Sequence, residues 1–108
     1  MDISERRRIE QECRDLVVTM CHHSDHGEDE KTVDLFTPDG IWIRGGKPYT
    51  GRAELLASFK RQAATVVTRH LTSNIRIEVT GERSAEGITY YLSYRHDPGT
   101  ATPITCTS

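Results

Sequence analysis

The sequence predicts a small α+β domain, with helices leading and a long β-hairpin behind them. Two periodicities carry this reading. Ile9, Cys13, Leu16, Val17 and Met20 recur at helical spacing and form one apolar stripe. Ile75, Ile77 and Val79 alternate with Arg76 and Glu78, the period of a strand. A chain of 108 residues fits one domain with one core or one pocket.

The elements follow in order. Residues 4–24 read as the first helix, with Ser4 or Asp2 as its cap and Gly27 as a stop signal. A short second helix at about 29–36 buries Val33 and Phe36 at i,i+3 spacing. Pro38-Asp39-Gly40 is a turn, and Ile41-Trp42-Ile43 is a run of β-formers. Gly45-Gly46-Lys47-Pro48 breaks the chain, and Tyr49-Thr50-Gly51 is a brief extended piece. Residues 52–63 read as a third helix with Leu55, Leu56, Phe59 and Ala63 on its inner side. Residues 66–80 and 85–95 are two long strands joined by Gly81-Glu82-Arg83-Ser84, hence a hairpin. The domain is expected over 1–96, with 97–108 as a loop or disordered tail, because Ile104 and Cys106 are its only large apolar residues.

Composition removes several function classes. Hydrophobic residues make up 35% and charged residues 28%, with a net charge of −2. No basic footprint invites nucleic acid. Arg6-Arg7-Arg8 lies among Glu5, Glu10 and Glu12, the pattern of a solvated helix face with i,i+4 pairs. No apolar run is long enough to span a membrane, and the N-terminus has no signal-peptide core. The cysteines are Cys13, Cys21 and Cys106, an odd number. Cys13 and Cys21 sit eight residues apart on one helix, roughly 12 Å along its axis, too far for a disulfide, which needs Cα atoms within about 7 Å. Free thiols and a cytoplasmic location are therefore expected.

Several segments together resemble one family. "SDHGEDEKTVDLFTPDGIW" (24–42) looks like the helix-turn-strand signature of SnoaL-like proteins, with its Leu-Phe-x-x-Asp-Gly block. "YTGRAELLASF" (49–59) is similar to that family's Gly-led third helix. "TRHLTSNIRIEV" (68–79) resembles its His-x-x-x-Asn strand, and "ITYYLSY" (88–94) fits the strand that pairs with it. The resemblance covers residues 8–96. It implies the cone fold of the nuclear-transport-factor-2-like superfamily, a curved antiparallel or mixed sheet packed against about three helices. Relatives include scytalone dehydratase and polyketide cyclases. Such proteins usually continue into another hairpin ending near a Trp, and this sequence stops before it: either the chain is shortened or the sheet is completed differently, by a partner subunit for example.

The resemblance also carries site residues. An Asp ending the first helix and a strand His form an acid–base pair in this family, and Asp25 and His70 occupy those positions. A histidine changes charge near neutral pH, and a carboxylate can orient it. The bland alternative is a helix-terminating Asp and an unrelated strand His. Asn74 and Tyr49 are candidates to orient substrate, and Trp42, Phe59 and Tyr91 to line a pocket; aromatics in such positions also serve as plain core. Strand parity creates a difficulty. His70 and Asn74 share a face with Arg76 and Glu78, opposite Ile75 and Ile77. A β-bulge near Thr72–Asn74 is predicted, since only a register shift puts His70 on the apolar face.

Other constellations are weaker. His22 and His26 have the i,i+4 spacing of metal ligands, with Asp25 as a third, but no distant Cys or acidic cluster completes a site, and a polar helix end with dipole-favoured histidines is the better explanation. His96 at a strand end reads as surface. Gly45-Gly46-Lys47 lacks phosphate-loop spacing, and no Ser or Cys sits in a nucleophile elbow. The resulting expectation is an acid–base enzyme of lyase, isomerase, cyclase or hydrolase type, needing no metal or cofactor, acting on a compact apolar molecule. The alternative is a non-catalytic ligand-binding or assembly module of the same fold. A homodimer through the outer sheet face is expected, because residues 88–94 place aromatics on both faces.

Overall fold

The computed structural model describes residues 1–62, 64–99 and 104–107. Ala63, expected on the third helix, lies outside them, as do residues 100–103 and 108 of the tail. The element order is α1 (Ile3–Asp25), α2 (Asp29–Asp34), β1 (Ile41–Arg44), β2 (Lys47–Thr50), α3 (Gly51–Phe59), β3 (Val67–Gly81), β4 (Ser84–His96) and β5 (Thr105–Thr107). The α+β class holds. The sheet, however, comes as two antiparallel pieces, β1–β2 and β3–β4–β5, rather than one.

Asp2 is the cap of α1: its carboxylate accepts the Glu5 N–H at 2.8 Å. The helix stops in a Schellman motif. The Glu28 N–H donates to the His23 carbonyl at 2.9 Å and the Gly27 N–H to the Ser24 carbonyl at 3.2 Å. Gly27 has the left-handed φ of +68° that this ending requires. The Gly45-Gly46 break is narrower than expected. Only the two glycines turn, with φ +57° and +78°, so Lys47 and Pro48 join β2 and Trp42 pairs with Tyr49. Two positive φ values are the pattern of the type I′ turn that suits a twisted hairpin.

The third helix ends at Phe59, shorter than expected. Leu55 of α3 and Val33 of α2 are both buried, and α2 packs on α3. Phe59 lies 4.8 Å from the Trp42 ring and 6.5 Å from the Phe36 ring, centroid to centroid, tying α3 to β1 and to the end of α2. Arg52 clamps the chain from outside, donating two hydrogen bonds to the Phe36 carbonyl at 2.7 and 3.2 Å.

The predicted bulge is present. Ser73 pairs with Tyr90 and Arg76 with Ile88, so Asn74 and Ile75 together oppose Thr89. Asn74 carries φ +53°, the left-handed conformation of a bulge residue. Inner-face parity changes there: Thr68, His70 and Thr72 on one side of it, Ile75, Ile77 and Val79 on the other, are the more buried residues of β3. On β4 the odd positions face inward without interruption, because the extra residue is on β3 alone. Helix α1 packs along β3.

The tail departs from its expected state. Cys106 pairs with Tyr94 and Thr105 with Arg95, so β5 is a third antiparallel strand beside β4. Thr and Cys are competent strand formers, and the unpaired edge of β4 supplies the template.

Candidate functional site

The Schellman ending fixes where Asp25 stands, and the bulge fixes where His70 points. Together they deliver both side chains to one place, 45 residues apart in sequence. His70 Nδ1 lies 2.5 Å from Asp25 Oδ1. The His70 backbone N–H donates to the other carboxylate oxygen at 2.9 Å. Thr68 donates its hydroxyl to Oδ1 at 3.1 Å. The Asp25 side chain is only 9% exposed and that of His70 26%. A carboxylate taken so far out of water persists because three donors replace its hydration. Arg69 adds a bond from its guanidinium to the Asp25 carbonyl at 3.1 Å, serving one of the orphan carbonyls of the helix end.

This geometry selects a tautomer. A carboxylate only accepts, so Nδ1 carries a proton, and in the neutral ring Nε2 is left with the lone pair. Tyr91 stands beside the pair, its ring centroid 5.9 Å from that of His70. Cys21, one turn before Asp25, is pushed up in pKa first by burial and then by the Asp25 charge, which favours the thiol over the thiolate.

The other proposed site residues divide. Trp42, Tyr49 and Phe59 form an aromatic cluster of their own, with Trp42–Tyr49 centroids 6.4 Å apart. Tyr49 and Phe59 line a cleft of about 1080 Å³ whose walls also include Ser24 and His26, the neighbours of Asp25. Asn74 does not join the pair. It is exposed, serves as the bulge residue, and borders a separate shallow groove with Ile88 and Tyr90. Its amide suits a left-handed φ better than most side chains, which accounts for its identity without a ligand.

The histidine run resolves into local contacts. His26 Nδ1 donates to the His22 carbonyl at 2.7 Å, and the two rings stack at 4.3 Å. His23 pairs with Glu28 at 3.2 Å. Among the described residues no group of three or more His, Cys, Asp or Glu could hold a metal ion. His96 is half-buried, and its Nδ1 has no hydrogen-bond partner among the described residues. Cys13, Cys21 and Cys106 are free thiols. No described helix is long and apolar enough to cross a membrane.

Sequence reasoning missed Thr68, although the parity that placed His70 inward places Thr68 on the same face. It also missed the arginines of the cleft, which come from three distant segments.

The description "SnoaL-like domain" matches residues 5–108, including the β5 segment. The chain belongs to the SnoaL-like family. Solved structures of the same fold agree. One is a putative scytalone dehydratase from Novosphingobium aromaticivorans, 19% identical, with a TM-score of 0.83 over 96% of this chain and 71% of that one. Another is ActVI-ORFA from Streptomyces coelicolor, 14% identical, with a TM-score of 0.74 over 92% of this chain and 77% of that one. A third, a function-unknown protein from Mycobacterium tuberculosis, is 25% identical, with a TM-score of 0.81 over 98% and 61%. Among curated proteins nothing matches. This SnoaL-like chain thus shares the fold of these neighbours.

Proposed function

We propose that this SnoaL-like protein is a cofactor-independent acid–base enzyme acting on a compact apolar carbonyl compound. The observation that carries the reading is the Asp25–His70 contact. Asp25 holds the imidazole with Nδ1–H toward it, leaving Nε2 free to accept a proton. A proton taken by Nε2 from the carbon beside a carbonyl leaves an enolate. The imidazolium then returns the proton, either to another carbon or to a leaving hydroxyl. The first outcome is isomerisation and the second dehydration. The pair's attraction to the imidazolium stabilises the charged intermediate state. Tyr91 supplies an apolar wall, and its ring lies against the imidazole. The neighbour described as a putative scytalone dehydratase supports the lyase form of this chemistry.

The test uses an aromatic ketone such as 2-tetralone in heavy water. Proton NMR should show enzyme-dependent exchange of the α-protons. His70→Ala should slow it by about 100-fold or more, the usual worth of a positioned base, with the circular dichroism spectrum unchanged. Equal exchange in parent and variant would defeat the reading. One observation favours the alternative, a ligand-binding module: neither Asp25 nor His70 borders the large cleft. Saturable ketone binding with no exchange above the buffer rate would establish that alternative.

A further inference from the structure

The cleft has a charge pattern that the acid–base reading does not use. Arg44 from β1, Arg61 just beyond α3 and Arg95 from β4 all line it. None of the three forms an ion pair among the described residues. The cleft's other basic side chain apart from His26, Lys60, is already neutralised. It pairs with Glu30 at 2.8 Å and is attracted to Asp29, the sole carboxylate of the cleft wall among the described residues. A protein with a net charge of −2 has thus gathered three uncompensated guanidinium groups around one concavity. All three are exposed and of one sign around the cleft, which raises the local concentration of an anion there.

The guanidiniums are also pre-positioned. Arg44 lies over the Trp42 ring at 5.5 Å and Arg61 over the Tyr49 ring at 6.0 Å. Arg95 is steadied by donating to Gln62 at 3.2 Å. The guanidinium groups of Arg44 and Arg61 each sit near a ring and donate no hydrogen bond among the described residues, so their N–H groups are available. Those groups match a carboxylate or phosphate in fork geometry. Tyr49, Phe59 and Val66 furnish an apolar wall in the same cleft.

The geometry points to a binding site for a small organic acid: a compact oxyanion, carboxylate or phosphate monoester, held by Arg44, Arg61 and Arg95, with a flat apolar body lying on Tyr49 and Phe59. This site stands whether or not Asp25 and His70 are catalytic, since its probes need not react.

Trp42 is the only tryptophan and sits against Arg44, so its fluorescence reports occupancy. The probes are phenyl phosphate, benzoate, inorganic phosphate and neutral benzyl alcohol, each titrated to about 10 mM, beyond millimolar affinity. Phenyl phosphate or benzoate should saturate the signal, weaken with added salt, and bind more tightly than benzyl alcohol. Stronger binding by inorganic phosphate than by benzoate would assign the ligand class to phosphate esters, and the reverse order to carboxylic acids; either supports the site. Arg61→Gln and Arg95→Gln should each weaken binding about tenfold, the effect of losing one charge-assisted contact. Arg83→Gln, in the exposed β3–β4 turn, should change nothing. The proposal fails if no anion alters the Trp42 signal, if benzyl alcohol binds as well as benzoate, or if Arg83→Gln weakens binding as much as the cleft variants do.

Discussion

Asn74 shows how one residue can decide the site. Its φ of +53° turns β3 by one position, and only that shift brings His70 onto the face where Asp25 waits. A left-handed φ costs an ordinary residue roughly 1–2 kcal/mol, more for a β-branched one. Asn74→Val should therefore destabilise the fold by about 1–2 kcal/mol in urea unfolding, whereas Asn74→Gly should be nearly neutral because glycine accepts this φ freely. Equal stabilities for the two variants would mean that the bulge does not depend on residue 74. A tautomer measurement belongs at the same scale. Nitrogen–proton correlation NMR should find the neutral His70 ring protonated at Nδ1 in the parent. In Asp25→Asn the carboxylate no longer enforces that choice, and the Nε2–H form should become populated.

The joint between α1 and α2 carries the ionic design of the elements. Glu28 accepts from Lys31 at 2.8 Å and lies 3.2 Å from His23 Nδ1, so it links the last turn of α1 to the first turns of α2. Hydrogen bonds from Lys31 and then His23 hold its pKa down from 4.5 to about 2. A carboxyl with a depressed folded-state pKa contributes stability that is present above 4.5 and lost as the pH falls toward about 2. Chemical unfolding at intervals across that window should show the parent losing stability more steeply than Glu28→Gln; parallel curves would remove Glu28 from the acid response. Element-level features were also where the sequence was most readable. The helix α1, the Gly27 stop and both long strands follow from periodicity and turn chemistry, which are local, although Leu16 and Met20 of the α1 stripe are exposed; the bulge follows from parity only once the family resemblance puts His70 inward. The end of α3 and the strand Thr105–Thr107 were not readable. The first has no breaker at Phe59, and the second exists only because the edge of β4 is there to pair with. The arginine cleft was illegible for the same reason: convergence of Arg44, Arg61 and Arg95 is a tertiary fact.

At the scale of the whole molecule, the shape is open. The chain measures 54 × 28 × 24 Å with a radius of gyration of 15.6 Å, against about 13 Å for a compact chain of this length. The described residues bury few large apolar side chains, and α1 buries none fully. The outward face of the β3–β4 hairpin presents Leu71, Ile88, Tyr90, Leu92 and Tyr94, from 41% to 65% exposed. Contiguous apolar surface of this kind is unusual on a monomer and marks an interaction face. The strand alternation that places Tyr91 against His70 necessarily turns Tyr90 and Leu92 outward, so the site and the outer face are two sides of one hairpin. A self-complementary sheet face is suited to an isologous two-fold contact, in which each Tyr90 meets the same surface on its copy. A homodimer through this face is expected. Sedimentation at micromolar concentration should give twice the mass of 12.2 kDa. Leu92→Glu would bury a charge at the centre of the contact and should return the protein to monomers without disturbing the Asp25–His70 pair, since position 92 faces away from it. A monomeric mass for the parent protein at that concentration would sink the expectation, and an undiminished dimer in Leu92→Glu would move the interface to another face.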